Sequence, residues 1–299
     1  MHLIDSSGFD NRAADCEHIE ALPLAAAMGA EIRGVRVADL ADDAFEEVRH
    51  ALFRHKMIFF RDQGLDHADQ ETFTLRFGSF GEDAYTKGVP GHEHVQPVVK
   101  EADAKVGMIF GTGWHTDSAF LERPPAISML YAAEVPPYGG DTIWANAVLA
   151  HRMLSERMRE MIDGLRVQMS RRDVMETSAR AGSASAVITM QDSQEELTRH
   201  LTGTTHPLVR THPVTGERAL FVDQTYSCGI EGLTDAEAAP LLAYLVGHLT
   251  QSAFTCRLRW AAGTLAVWDN RLCVHQAYND HDGYRREMYR TTVAGERPV

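Results

Sequence analysis

Two short segments far apart in the chain place the strongest constraint on its fold. One is Gly113-Trp114-His115-Thr116-Asp117-Ser118 and the other is Trp268-Asp269-Asn270-Arg271-Leu272-Cys273-Val274-His275. Both carry metal-ligating residue types. Side chains two apart on a strand share a face, so an extended chain through His115 and Asp117 turns both toward one point while Thr116 points away. If His275 reaches the same point, the fold must bring these distant segments side by side.

Two imidazoles and one carboxylate on a single ion leave coordination positions open, the donor set of mononuclear non-haem Fe(II) oxygenases. A His-x-Asp triplet carries little weight alone in a chain with 15 histidines. A lone His275 reads most simply as a satisfied core histidine. The residues that follow His275 add the missing weight. Tyr284 to Val293 is rich in Tyr, Thr and Val, which predicts a strand. On a strand Arg286, Met288 and Arg290 share a face, whereas a helix would stack two like charges four apart. Arginines turned into an interior need anionic partners, and guanidinium binds carboxylate through two parallel hydrogen bonds. A dicarboxylate co-substrate meets that need.

Taken together, these segments resemble the taurine dioxygenase / 2,4-dichlorophenoxyacetate dioxygenase family of Fe(II)- and 2-oxoglutarate-dependent oxygenases. The likeness runs in order from Gly29-Ala30-Glu31-Ile32, through Trp114 to Asp117 and Gly139-Gly140-Asp141-Thr142, to the closing Arg290-Thr291-Thr292-Val293. The resemblance implies a mainly β fold with peripheral helices around a double-stranded β-helix, or jelly roll. It implies His115, Asp117 and His275 as iron ligands. It implies that Thr142 hydrogen-bonds the distal carboxylate of 2-oxoglutarate and that Arg286, eleven residues after His275, forms its salt bridge. Arg290, fifteen after His275, matches an arginine near the C1 carboxylate and the acidic head of the substrate. Ser118 matches a position that offers a backbone N–H to substrate.

The implied cofactor is Fe(II), with 2-oxoglutarate and O2 as co-substrates. The implied reaction releases succinate and CO2 and oxidises an unactivated C–H bond, most simply by hydroxylation, in a small anionic substrate. The Asp117 carboxylate favours hydroxylation over halogenation, because halogenating relatives carry a small residue there. One departure concerns specificity. Where taurine dioxygenase has a histidine soon after Arg-Phe-Gly, this chain runs Arg76-Phe77-Gly78-Ser79-Phe80-Gly81, which argues against taurine. His206-Pro207-Leu208-Val209 and Phe254-Thr255-Cys256-Arg257 are similar to the aryloxyalkanoate-degrading branch. The competing reading is a non-catalytic metal-binding or ligand-sensing jelly roll. A metal-assisted hydrolase ranks lower, since it needs no 2-oxoglutarate-binding arginine.

Length alone leaves one large domain or two small ones open, but the resemblance over most of the chain makes 1–299 a single catalytic domain. Lid or loop segments are expected at 79–112 and 171–205. A 44% hydrophobic content supplies a sizeable core. The net charge of −13 argues against nucleic acid and anionic membrane surfaces as partners, leaving a small-molecule substrate. A homo-oligomer is left open. Cys16, Cys228, Cys256 and Cys273 form no C-x-x-C pair and read as reduced core residues. The N-terminal residues lack a basic and then apolar leader, and the apolar run Ala21 to Ala30 is too short to cross a bilayer. A cytoplasmic location is expected.

Along the chain, helices are predicted over Asp42 to Arg54, Asp66 to Phe77, from an Asn146 cap to about Asp163, and over Asp235 to Leu249 after Thr234. Strands are predicted over Met57 to Phe60, Ile127 to Ala133, Phe254 to Trp260, Thr264 to Trp268 and Glu287 to Val293. A hairpin is predicted around Pro213 to Gly216. Gly78 to Gly113 reads as a functional loop, and Ser170 to Thr205 as a lid. His92, His94, His206 and His212 read as surface or loop histidines. Trp114, Trp144 and Trp268 read as packing residues.

Overall fold

A computed structural model describes residues 8–82, 85–104, 111–180 and 194–299. The elements run β1 (Glu20–Pro23), β2 (Ala30–Arg33), α1 (Asp42–His55), β3 (Met57–Phe60), α2 (His67–Leu75), β4 (Gln96–Lys100), β5 (Ile127–Glu134) and β6 (Thr142–Asn146). They continue with α3 (Ala147–Arg152), α4 (Glu156–Ile162), β7 (Arg166–Met169), α5 (Arg172–Arg180), α6 (Gln194–Thr202), β8 (Thr204–Pro207), β9 (Val209–Thr211) and β10 (Arg218–Leu220). Last come β11 (Ser227–Ile230), α7 (Asp235–Leu249), β12 (Thr255–Leu258), β13 (Leu265–Asp269), β14 (Cys273–Ala277) and β15 (Arg286–Val293).

The strands form a jelly-roll sandwich. A large sheet has the order β1-β2-β3-β13-β5-β15-β4, and a smaller one the order β12-β6-β14. A further sheet, β11-β7-β8, and the hairpin β10-β9 are separate, and their Val167, Met169, Val209 and Leu220 join the same core. Successive strand residues serve opposite faces of the large sheet. Ile58, Phe60, Met129, Leu265 and Val267 pack under Phe45, Val48 and Leu52 of α1 and Phe73 of α2. Met57, Phe59, Leu130, Ala266, Trp268 and Met288 face inward to meet Trp144, Ala145, Cys256, Leu258 and Val274 of the smaller sheet. Arg286 and Arg290 share the inward face with Met288, as the strand pattern predicts.

Local chemistry explains the elements closest to the site. Asp42 and Asp43 in the first turn of α1 and Arg54 in the last complement its dipole. Lys56, at φ 68°, ends the helix in the left-handed conformation and donates its N–H to Leu52 O. The chain then enters β3, whose four residues are all buried. Asp66 caps α2 in a reciprocal box with Asp69. Glu237 accepts from Thr234 N at 2.9 Å and Oγ1 at 2.8 Å at the start of α7.

Several expectations are corrected. The loop assigned to Gly78–Gly113 contains β4, an edge strand paired with β15; its Pro97 suits an edge. Asn146 caps a helix as predicted, but that helix stops at Arg152, and Ser155 caps a new one by accepting from Met158 N at 3.2 Å. The Ser170–Thr205 segment includes α5, α6 and β8; residues 83–84, 105–110 and 181–193 of the two expected lids lie outside the described residues. His206 and His212 are buried, not surface groups. Cys256 and Cys273 are core residues, whereas Cys228 is exposed and Cys16 half-buried; all four are free thiols. Among the described residues no helix is long and apolar enough to cross a membrane.

Candidate metal and co-substrate site

The expected ligand segments meet between the two sheets. His115 and His275 exchange backbone hydrogen bonds, His115 N to His275 O at 2.9 Å and His275 N to His115 O at 2.8 Å. This antiparallel pairing sets both imidazoles side by side, with ring centroids 4.1 Å apart. Asp117 does not lie on a continuing strand, as the alternation argument required. The chain turns after it: Ser118 takes φ 47°, and Leu121 N donates to Ser118 O at 3.0 Å. The shared point is produced by this turn and is braced from behind, where Asp223 accepts from Thr116 N at 3.2 Å and Tyr226 N at 2.7 Å.

One carboxylate oxygen faces both rings. Asp117 Oδ1 lies 3.7 Å from His115 Nε2 and 3.8 Å from His275 Nε2, too far for hydrogen bonds. The three ligand atoms lie within 4.8 Å of one another, and all three residues are buried. His115 Nδ1–H donates to Gly113 O at 2.8 Å, which turns Nε2 toward Asp117 as the nitrogen that could hold an ion. Burial and the neighbouring His115 push the His275 pKa down to about 3. Burial opposes ionisation of Asp117, but His275, His115 and Arg290 outweigh it and hold its pKa far below the carboxylate range. Burial likewise opposes charge on His115, and Asp117 outweighs it, so that pKa rises. An anionic oxygen facing two adjacent imidazole nitrogens is a donor set that suits a divalent transition ion, and the residues fit one.

Next to these ligands, Arg286 is 8% exposed, and its Nε and Nη2 have no hydrogen-bond partner. Burial lowers its pKa to about 10, with Asp141 partly compensating. A Cβ on Gly140, at φ 67°, would sit 3.3 Å from Arg286 Cδ and Nε, so only glycine lets the chain pass there unstrained. Thr142 Oγ1 accepts Trp260 Nε1–H at 3.0 Å, leaving its own hydroxyl proton to donate elsewhere. Arg290 Nη1 lies 3.4 Å from Asp117 Oδ1. The cavity is walled by Thr142, Arg286, Arg290 and all three candidate ligands, together with Leu130 and Trp268. Ser118, also expected at the site, starts the adjacent turn and is outside that wall.

Lys100, Thr112, Tyr278 and His281 of the wall escaped the sequence reading, and Lys100 and His281 bear most on the site. Lys100 pairs in register with Arg286 across β4 and β15, and its ammonium lies 3.3 Å from His281 O and from Asp282 Oδ1. His281, 2% exposed, has neither ring nitrogen hydrogen-bonded. The signal for Lys100 was its alternation with Gln96 and Val98, hidden because that segment read as a loop.

The chain matches the model of the "Taurine catabolism dioxygenase TauD, TfdA family" over residues 20–292. It is 37% identical over 280 residues to an alpha-ketoglutarate-dependent sulfate ester dioxygenase of Pseudomonas putida, covering 93% of this chain and 90% of that one. A solved taurine dioxygenase from Burkholderia xenovorans superposes with a TM-score of 0.78 at 35% identity, covering 95% and 91% of the two chains. A structure of AAD-2 in complex with Mn(II) and N-oxalylglycine gives a TM-score of 0.76 at 26% identity, over 94% and 98%. With its ordered motifs, its jelly roll and this agreement along nearly the whole chain, the protein belongs to the TauD, TfdA dioxygenase family.

Proposed function

We propose that the protein is an Fe(II)- and 2-oxoglutarate-dependent dioxygenase that oxidises a C–H bond of a small anionic substrate, and that residues 1–299 form one catalytic domain. The observation that carries this reading is the juxtaposition in one cavity of the His115, Asp117 and His275 donor atoms with the buried, unsatisfied guanidinium of Arg286. A sensor or structural metal site would leave that cation without a purpose, and an uncompensated buried charge is costly.

In this reading His115 Nε2, Asp117 Oδ1 and His275 Nε2 hold Fe(II) on one side. When bound, the ion would let O2 and 2-oxoglutarate supply the oxidising power, with succinate and CO2 as the products released. Arg286 binds the distal carboxylate through its fork, and Thr142 donates its free hydroxyl proton to the same group. Lys100 adds positive charge on the neighbouring strand, and His281 offers a ring nitrogen beside Gly140. Arg290, next to Asp117, orients the C1 carboxylate and the anionic head of the substrate. Trp268 and Leu130 keep this side of the cavity dry, strengthening each charged contact.

The relative from Pseudomonas putida is named for sulfate esters, and that class heads the screen, followed by sulfonates and aryloxyacetates. Gly81 supports the argument against taurine. Its N–H donates to Thr292 O at 2.9 Å, and a Cβ there would meet Thr292 Oγ1 at 2.8 Å, so the position is committed to holding β15. A net charge of −13 supports a small-molecule partner over nucleic acid, and four free thiols support a cytoplasmic location. The test is anaerobic addition of Fe(II) and 2-oxoglutarate to apoprotein. We expect a visible metal-to-ligand charge-transfer band, then succinate release when O2 and an anionic substrate are admitted. A wild-type protein that forms no such band counts against the reading.

A further inference from the structure

The carboxylate of Asp117 is held from behind by a chain of hydrogen bonds whose direction admits no choice. Trp268 Nε1 lies 3.0 Å from Asn270 Oδ1, Asn270 Nδ2 lies 2.8 Å from Ser128 Oγ, and Ser128 Oγ lies 2.5 Å from Asp117 Oδ2. None of the four residues is more than 4% exposed. An indole N–H can only donate, so the oxygen of the Asn270 amide must face it. That settles the amide orientation, which the heavy atoms alone leave ambiguous. Its nitrogen then points at Ser128, whose hydroxyl must accept there. The single hydroxyl proton is left for Asp117, giving a short, charge-assisted bond.

The other carboxylate oxygen has a different environment. Oδ1 is the atom 3.7 and 3.8 Å from the two imidazole nitrogens and 3.4 Å from Arg290. We propose that Ser128, oriented by Trp268 and Asn270, is a positioning residue that reserves Oδ2 as a hydrogen-bond acceptor and presents Oδ1 alone to the metal. The inference rests on the iron-site reading above. Its chemical consequence is a one-oxygen carboxylate contact. A two-oxygen contact would occupy a further coordination position, and the co-substrate's chelating oxygens and O2 need all that remain open.

The backbone supports the relay. Ser128 and Trp268 are Cα partners in the β5–β13 pairing, and Asn270 N donates to Ala126 O at 2.9 Å just beyond it. The spacing between indole, amide and hydroxyl is therefore fixed by the central strands of the large sheet. Outer partners of this kind typically change metal affinity 10–100-fold when removed.

The test measures Mn(II) affinity of the apoprotein by calorimetry and the Asp117 contact in crystals of the Mn(II)-loaded protein. Wild type is expected to show Oδ1 bound and Oδ2 on Ser128. Ser128→Ala is expected to bind Mn(II) about 10–100-fold more weakly, with Asp117 rotating to offer both oxygens, and Ser128→Thr to restore affinity. Trp268→Phe keeps an aromatic ring but removes the donor that sets the direction; it should weaken binding in the same sense, by less, and serves if Ser128→Ala does not fold. A merely structural role would lower thermal stability without changing the number of oxygens bound. Two-oxygen binding in wild type, or unchanged affinity and contact in Ser128→Ala, overturns the relay alone. Wild type that takes no Mn(II) at His115, Asp117 and His275 overturns the site reading and the relay with it.

Discussion

Two buried aspartates, each beside histidine and arginine, have opposite fates in this molecule. Asp269 is saturated: Arg271 donates to it through Nε at 2.8 Å and Nη2 at 2.6 Å, Arg271 N donates at 2.9 Å, and His212 Nε2 lies 3.1 Å away. Glu296 extends the cluster to Arg210 and Arg271. Asp117 has one short bond, to Ser128, while its two histidines stand off beyond hydrogen-bonding distance. Similar side chains thus make a closed ion network in one place and an open donor cluster that could hold an ion in the other. Residue type does not distinguish structure from chemistry; the degree of saturation does.

The contrast is sharpest under deletion. Asp269→Ala strands Arg271 and His212 and is expected to cost about 3–5 kcal/mol of stability, read by chemical denaturation. Asp117→Ala takes away the acceptor of the Ser128 hydroxyl but breaks no saturated ion network, and is expected to cost less, about 1–3 kcal/mol. It should weaken metal binding by more than the ~100-fold typical of outer partners. Equal stability losses in the two variants would erase the distinction.

Arg286→Ala probes whether an unsatisfied buried cation belongs to a ligand. We expect 2-oxoglutarate affinity to fall by about 2–5 kcal/mol, roughly 30-fold or more, with metal affinity retained. An unchanged co-substrate requirement removes Arg286 from the site. Arg290→Ala should mainly raise the KM for the prime substrate, about tenfold for one charge-assisted hydrogen bond. A variant altered only in oligomeric state would show that its pocket role is wrong.

The smallest effect concerns pH. Burial holds His206 at about 4, against the help of the Leu121 carbonyl, and burial lowers His55 and His151 to about 4 as well. These folded-state values lie below the unfolded value near 6.5. The unfolded chain therefore takes protons first as pH falls, and the stability these groups contribute is present above about 6.5 and lost down to about 4. Asp269, whose pKa is lowered, loses its contribution only on further acidification, below the unfolded carboxylate value near 3.9. Thermal melts from pH 7 to 4.5 should show a decline of a few degrees that His206→Gln reduces. A flat profile removes the buried histidines from the account.

Much of this was legible in the sequence, for identifiable reasons. α1 announced itself by Phe45, Val48 and Leu52, and β15 by its Tyr, Thr and Val content with two arginines in phase. Which three residues would meet was readable, but the argument for their meeting point was not, because the turn at Ser118 replaced the expected strand. β14, which carries His275, lacked alternation: Cys273, Val274 and His275 are all buried. His206 and His212 looked like loop residues because their burial depends on partners far away, Leu121 and Asp269. Trp268 read as packing, which it is, but its indole N–H acts through Asn270 and Ser128, whose contact spans more than a hundred residues of sequence. Long-range hydrogen bonds leave no periodicity to find.

The reciprocal backbone bonds between His115 and His275 carry a consequence for handling the protein. Because peptide groups rather than the ion fasten the two histidine segments together, the cradle exists before anything fills it, and binding an ion need not order the chain. A chelator should therefore strip the protein to an inactive but intact molecule, ready to be recharged by adding ferrous salt, unlike the many small metallodomains that unravel when emptied.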